Sequence, residues 1–155
     1  MFFFVVLIQF QSLKNKNMFN VLSEISWLSV LLAFVPYFLL GALWFTLLFP
    51  KSYKISLGRE NDTPQKPAPI FIIGPAICCF VITVATAILM YALKIDSYEN
   101  AVIFAVIVGF GYLAANTVNI AINPNIPKPL LYGLISGAYH MAGILIVSLI
   151  LTAMK

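Results

Sequence analysis

The sequence predicts an all-α membrane protein, with four transmembrane helices in an antiparallel up-down bundle. Three observations predict it. Of 155 residues, 62% are apolar and only 9% are charged, against about 25% charged in an ordinary soluble domain. The apolar residues gather into four long runs without a single Asp, Glu, Lys or Arg. Between the runs lie short polar gaps rich in proline. Mean hydropathy is +1.00. Nine basic and five acidic side chains cannot coat the surface of a soluble protein of this size. The same numbers exclude a disordered chain and a disulfide-rich scaffold.

Residues 1–17 (MFFFVVLIQFQSLKNKN) hold an apolar block of about a dozen residues, too short for a bilayer core that needs ~20 helical residues. No positive flank precedes it and no small-residue cleavage site follows, so it makes a poor signal peptide. It reads as an N-terminal extension, with Met18 as an alternative start, or as an interfacial anchor. Residues 18–155 then form a single four-helix transmembrane domain.

The first span covers about 25–49, roughly 37 Å of helix. Pro36 within it removes a backbone donor, which predicts a kink one turn earlier. Trp27 at one end, with Trp44 and Tyr53 at the other, suits the aromatic belts of a bilayer. Residues 50–67 are the longest polar gap, and Pro64, Pro67 and Pro69 stiffen its end and stop any helix from running through. The second span covers about 68–93, with Pro75 in its early turns. Lys94, Asp96 and Glu99 form a tight polar turn. The third span covers about 101–122. The stretch NPNIPKP (123–129) has three prolines in seven residues and cannot be helical. The fourth span covers about 130–154. Every backbone group in hydrocarbon must be satisfied within its own segment, so each span is a helix. Short connections predict that consecutive helices are neighbours.

Lys51, Lys54, Arg59, Lys66 and Lys128 share one side of the membrane. Lys14, Lys16, Lys94 and Lys155 share the other. The positive-inside rule places the first group in the cytoplasm if the chain starts at Met18, and nearly loses its bias if it starts at Met1.

The absence of ionisable side chains within the spans argues against proton- and ion-coupled mechanisms. One histidine and two adjacent cysteines, Cys78 and Cys79, provide no metal or multi-histidine haem site, and no cofactor is expected. Both cysteines read as buried small hydrophobes. Without a carboxylate or activated nucleophile at depth, no enzyme is expected. No basic stripe with interleaved aromatics points to nucleic acid.

His140 lies near mid-depth in the fourth span. Gly133, Gly137 and His140 recur at i, i+4 and i+7, on one helix face. The GLISG stretch is a GxxxG that lets another helix approach, and makes the Gly133/Gly137 face a candidate homodimer contact. His140 reads first as a polar tie between helices, second as a solute contact, and last as a metal or haem ligand. In the third span Tyr112, Asn116, Asn119 and Asn123 form one stripe. Amides in lipid are costly unless paired, so the stripe is expected to face protein or a polar cavity. Gly109 suits close packing beside it. Weaker stripes are Tyr37, Gly41 and Trp44 in the first span, and Cys79, Thr83, Thr86 and Met90 in the second.

These residues together resemble a family of small bacterial membrane proteins, the domain of unknown function 1761. Gly41-Ala42-Leu43-Trp44-Phe45-Thr46 and Leu48-Phe49-Pro50-Lys51-Ser52-Tyr53 resemble its GALWY…LFGK…W opening. Asn119, the Pro127-Lys128-Pro129 turn and Gly137-Ala138-Tyr139-His140 resemble its closing AGYH segment. Pro50 and Tyr53 depart from the expected glycine and tryptophan. The likeness runs from about Glu24 to Lys155. It implies four membrane helices in the bacterial inner membrane and no established activity.

Two readings follow. In the first, Tyr112, Asn116, Asn119, Tyr139, His140 and Trp44 line a cavity that binds or passes a small neutral solute, as in a small transporter. In the second, the chain is a structural or assembly subunit of the membrane, and the same residues only tie helices together.

Overall fold

The computed structural model describes residues 18–62 and 68–155, with residues 18–20 described by their backbone alone. The segment 1–17 lies outside the described residues. Five helices follow a single 3₁₀ segment, Met18–Ser23. They are α1 (Trp27–Leu48), α2 (Pro50–Ser56), α3 (Ile70–Ala92), α4 (Tyr98–Ala121) and α5 (Pro129–Ala153). All but α2 are long and apolar enough to cross a membrane.

Local chemistry sets the boundaries. Ser26 caps α1 by accepting from the Ser29 N–H at 3.3 Å. Ser97 caps α4 in the same way through the Asn100 N–H. That cap starts the third membrane helix three residues before its apolar run, with Glu99 in the first turn, where the helix dipole favours a carboxylate. Phe49 breaks the helical path at φ −128° and ψ 28°, and Pro50 opens α2 at a position where its missing N–H costs nothing. This short helix within the first polar gap was not foreseen from the sequence. It closes on Gly58 at φ +66°, with Gly58 N–H to Ile55 C=O and Arg59 N–H to Lys54 C=O. This is a Schellman ending.

The core is built around α5. Half of its apolar window is buried, against 17–22% in the other three long helices. Small residues allow this. A Cβ at Gly143 would overlap the Tyr37 ring of α1. A Cβ at Gly133 would lie 2.9 Å from Val118 Cγ2, and one at Gly137 would lie 3.3 Å from Ala114 Cβ, both on α4. The pairs Tyr37–Gly143, Gly41–Tyr139 and Trp44–Ile135 run in opposite directions along α1 and α5. On α3, Cys79, Thr83, Thr86 and Met90 form the buried face.

The order of packing differs from the expected one. Helices α3 and α4 are consecutive, yet they barely touch, and both rest on α5. Only α5 has enough missing side-chain volume to admit three helices. The gap left between α3 and α4 forms a cleft.

Two helices also change pitch. Trp44–Leu48 and Gly109–Ala114 are π-helical turns. The extra residue in each turn resets the helical phase. The faces of α4 before and after Gly109–Ala114 are therefore not those of a straight 3.6-residue repeat.

Candidate functional site

The cleft between α3 and α4 has a volume of about 290 Å³. Its floor is α5, through Tyr132, Ser136, Tyr139 and His140 at i, i+4, i+7 and i+8. One wall is α3, through Pro75, Cys78, Cys79 and Ile82. The other is α4, through Thr117 and Ile120, with Phe45 and Tyr53 at the rim. His140 lies eleven residues beyond Pro129, about 17 Å along the helix, or half of a ~30 Å hydrocarbon core. The cleft thus runs from the Pro129 end of α5 to about the middle of that helix.

Aromatic contacts hold the floor in place. The Tyr37 hydroxyl and His140 Nδ1 share a hydrogen bond of 2.8 Å. Tyr37 is fully buried and stacks on Tyr139 at 5.4 Å between ring centroids. Tyr139 is covered by Phe45 and His140, and its hydroxyl shares a 3.1 Å hydrogen bond with Cys79 Sγ. The Trp44 indole donates to the Ile135 carbonyl at 3.0 Å. These bonds tie α1 and α3 to α5.

Two polar groups of the floor are left over. Ser136 Oγ is buried with no hydrogen-bond partner. His140 Nε2 makes no hydrogen bond among the described residues, because the bond to Tyr37 uses Nδ1. If Tyr37 donates, Nε2 carries the proton and is a donor. If Nδ1 donates, Nε2 is an acceptor. Thr117 is spent on its own helix, donating to the Leu113 carbonyl at 2.7 Å. Ser148, also buried without a partner, does not line the cleft.

The rim is aromatic. Tyr53 packs on Tyr132 at 5.7 Å and on Phe45 at 4.7 Å. Burial pushes the Tyr53 phenol up to about 12, the neighbouring Tyr132 adds to this, and Arg59 opposes it.

The structure brings together only part of the expected site. Tyr139 and His140 meet on the floor. Trp44 stands behind it as a tie between helices. Tyr112, Asn116 and Asn119 do not join them. All three are exposed on the outer side of α4, Tyr112 at 70%. Ala114, Val118 and Ala121 face α5 instead, since the approach to Gly133 and Gly137 leaves no room for an amide. For the same reason the Gly133/Gly137 face is not free for a second copy, because α4 of the same chain fills it. Gly41 and Gly109 do serve close packing, against Tyr139 and Met141. Cys79 is buried as expected, but Cys78 is exposed on the cleft wall. Sequence reasoning missed Ser136, Tyr132 and Thr117. Their only signal was their spacing relative to His140 and to the partner helices, which depends on the packing order.

A family model described as "Protein of unknown function (DUF1761)" matches residues 28–152. That is most of the chain. The chain belongs to this family. Comparison with curated proteins and with solved structures returns no match. The DUF1761 stretch includes every residue that lines the cleft, from Phe45 to His140. It also includes the four helices that are long and apolar enough to cross a membrane, except for the last residue of α5 and the first of α1.

Proposed function

We propose that this DUF1761 protein is an integral membrane protein that binds a small neutral molecule in the cleft between α3 and α4. The observation that carries the reading is the buried Ser136 hydroxyl without a partner, beside His140 with Nε2 uncommitted. A buried hydroxyl without a hydrogen bond costs about 1–3 kcal/mol. A ligand with one hydroxyl or carbonyl group that displaces the side chains covering Ser136 Oγ would recover that cost. The walls of Pro75, Ile82, Ile120 and Phe45 suit an apolar body. No formally charged side chain lines the cleft, which favours a neutral ligand over an ion.

Binding is a better reading than passage. Beyond His140 the helices pack over the buried side chains of Val30, Ala33, Ala87, Met90, Val147 and Leu151. Chemistry on the ligand is not part of the proposal, because the cleft offers one imidazole and no carboxylate or amine to work with it.

The alternative, a structural or assembly subunit, draws support from the Tyr37–His140, Cys79–Tyr139 and Trp44–Ile135 ties. It accounts for those bonds but not for Ser136 and Nε2.

A photoreactive diazirine-bearing aliphatic alcohol, with the matching alkane as control, separates the two. In proteoliposomes the binding reading expects the alcohol to label cleft peptides selectively. Ser136→Ala and His140→Phe then reduce that labelling. Equal labelling by alcohol and alkane, unchanged in both variants, leaves the structural reading standing and the binding reading refuted.

A further inference from the structure

The amides displaced from the cleft need a different account. Asn116 and Asn119 are exposed and make no hydrogen bond among the described residues. Asn116 is five residues from the Ala121 end of α4, about 8 Å inside that end. Lipid tails cannot satisfy an amide at that depth. The first half of the same outer face is ordinary lipid surface: Val102, Ile103, Val106, Ile107 and Phe110 are all exposed and apolar. The character of the face changes only after the π-helical turn.

Small residues flank the amides. Gly111 is exposed, and a Cβ built on it would meet nothing within 4 Å. Ala115, one turn later, is also exposed. Within the chain this glycine serves no packing contact, unlike Gly109, Gly133 and Gly137. Outside the chain it permits the backbone of another helix to come close.

We propose that two copies of the chain pair through this outer face of α4, with Gly111 and Ala115 at the close approach and Asn116 and Asn119 hydrogen-bonding across it. The face is self-complementary. A primary amide carries donors and an acceptor together, so an Asn facing the same Asn across a two-fold axis satisfies both. No charged residue lies between Ala101 and Asn123, so doubling the face brings no like charges together. The pairing is independent of any ligand in the cleft.

The test uses the full chain with donor or acceptor fluorescent proteins at its N-terminus, in phosphatidylcholine vesicles over a range of protein-to-lipid ratios. Energy transfer stays above the random-collision level on dilution. The Asn116→Leu/Asn119→Leu pair weakens association about 10–100-fold, and Gly111→Leu weakens it similarly. Phe71→Leu, on the exposed side of α3, leaves it unchanged. In a Cys78→Ser background, Ala115→Cys forms a disulfide-linked dimer under mild oxidation. The altered side chains are exposed, so unfolding midpoints in detergent stay near that of the unmodified protein. Transfer at the random level would overturn the proposal and assign the face to lipid headgroups or another protein. Association that ignores the α4 substitutions would also overturn it, by placing the contact elsewhere.

Discussion

Replacing Gly143 by alanine tests the packing that aligns His140. The added methyl would overlap the Tyr37 ring, which is fully buried and has no free volume to move into. Forcing atoms into a packed core costs about 1–3 kcal/mol. A displaced Tyr37 also gives up its 2.8 Å bond to His140 Nδ1, worth about 0.5–1.5 kcal/mol, and its ring contact with Tyr139, worth a similar amount. Alanine returns about 1 kcal/mol through helix propensity. The net expectation is a loss of about 3 kcal/mol. The control is the same change at Gly74 in α3, where a Cβ meets nothing within 4 Å. There Pro75 follows directly and its ring crowds the new Cβ, which offsets the gain in propensity, so a change within about 1 kcal/mol of zero is expected. Unfolding by sodium dodecyl sulfate from maltoside micelles, followed by circular dichroism, measures both. In a Tyr37→Leu background the cost of Gly143→Ala should fall below about 1 kcal/mol, because the clashing ring is gone. A Gly143→Ala protein as stable as the parent, or a cost unchanged by Tyr37→Leu, would refute the reasoning.

Three further expectations concern the membrane ends. Lys94 ends α3 at φ 53°, in a Schellman geometry with Ile95 N–H to Met90 C=O at 2.9 Å. Lys94→Gly should raise stability in the same unfolding assay by about 0.5–1 kcal/mol, since only glycine adopts that backbone without strain. The Lys155 ammonium donates to the Met90 and Ile95 carbonyls and lies over the Tyr91 ring at 4.6 Å. Lys155→Met should cost about 1 kcal/mol and loosen hydrogen exchange at the end of α3. Tyr53 holds its proton more tightly when folded, so its contribution is complete below pH 10 and is lost as pH rises toward about 12. Tyr53→Phe should therefore flatten the fall in stability over that window, and the ultraviolet phenolate titration should lose one group that ionises near pH 12.

The cleft shows where sequence reasoning reached and where it stopped. The Ser26 and Ser97 caps act on their own neighbourhoods, so the helix ends were nearly legible. Pro50 and Pro129, however, stand as the first residues of α2 and α5 rather than as breakers, since a proline at that position loses no hydrogen bond. His140 was identified because a lone imidazole in a charge-free span must find a partner. That its partner is Tyr37, 103 residues away, depends on the approach of α1 to Gly143. The stripe of Tyr112, Asn116 and Asn119 was seen correctly as one face but assigned inward. Polarity says that a face needs a partner, not whether that partner lies within the chain.

The sequence by itself determined that four helices are long and apolar enough to cross a membrane, because hydrocarbon tolerates only long, charge-free segments that satisfy their own backbone. It also determined that any interior chemistry rests on neutral groups. Only the tertiary structure decided which helix is central. Gly133, Gly137 and Gly143 make α5 the one surface that three helices can approach, and the volume they lack leaves α3 and α4 apart. That separation creates the cleft, and it turns the amides of α4 outward.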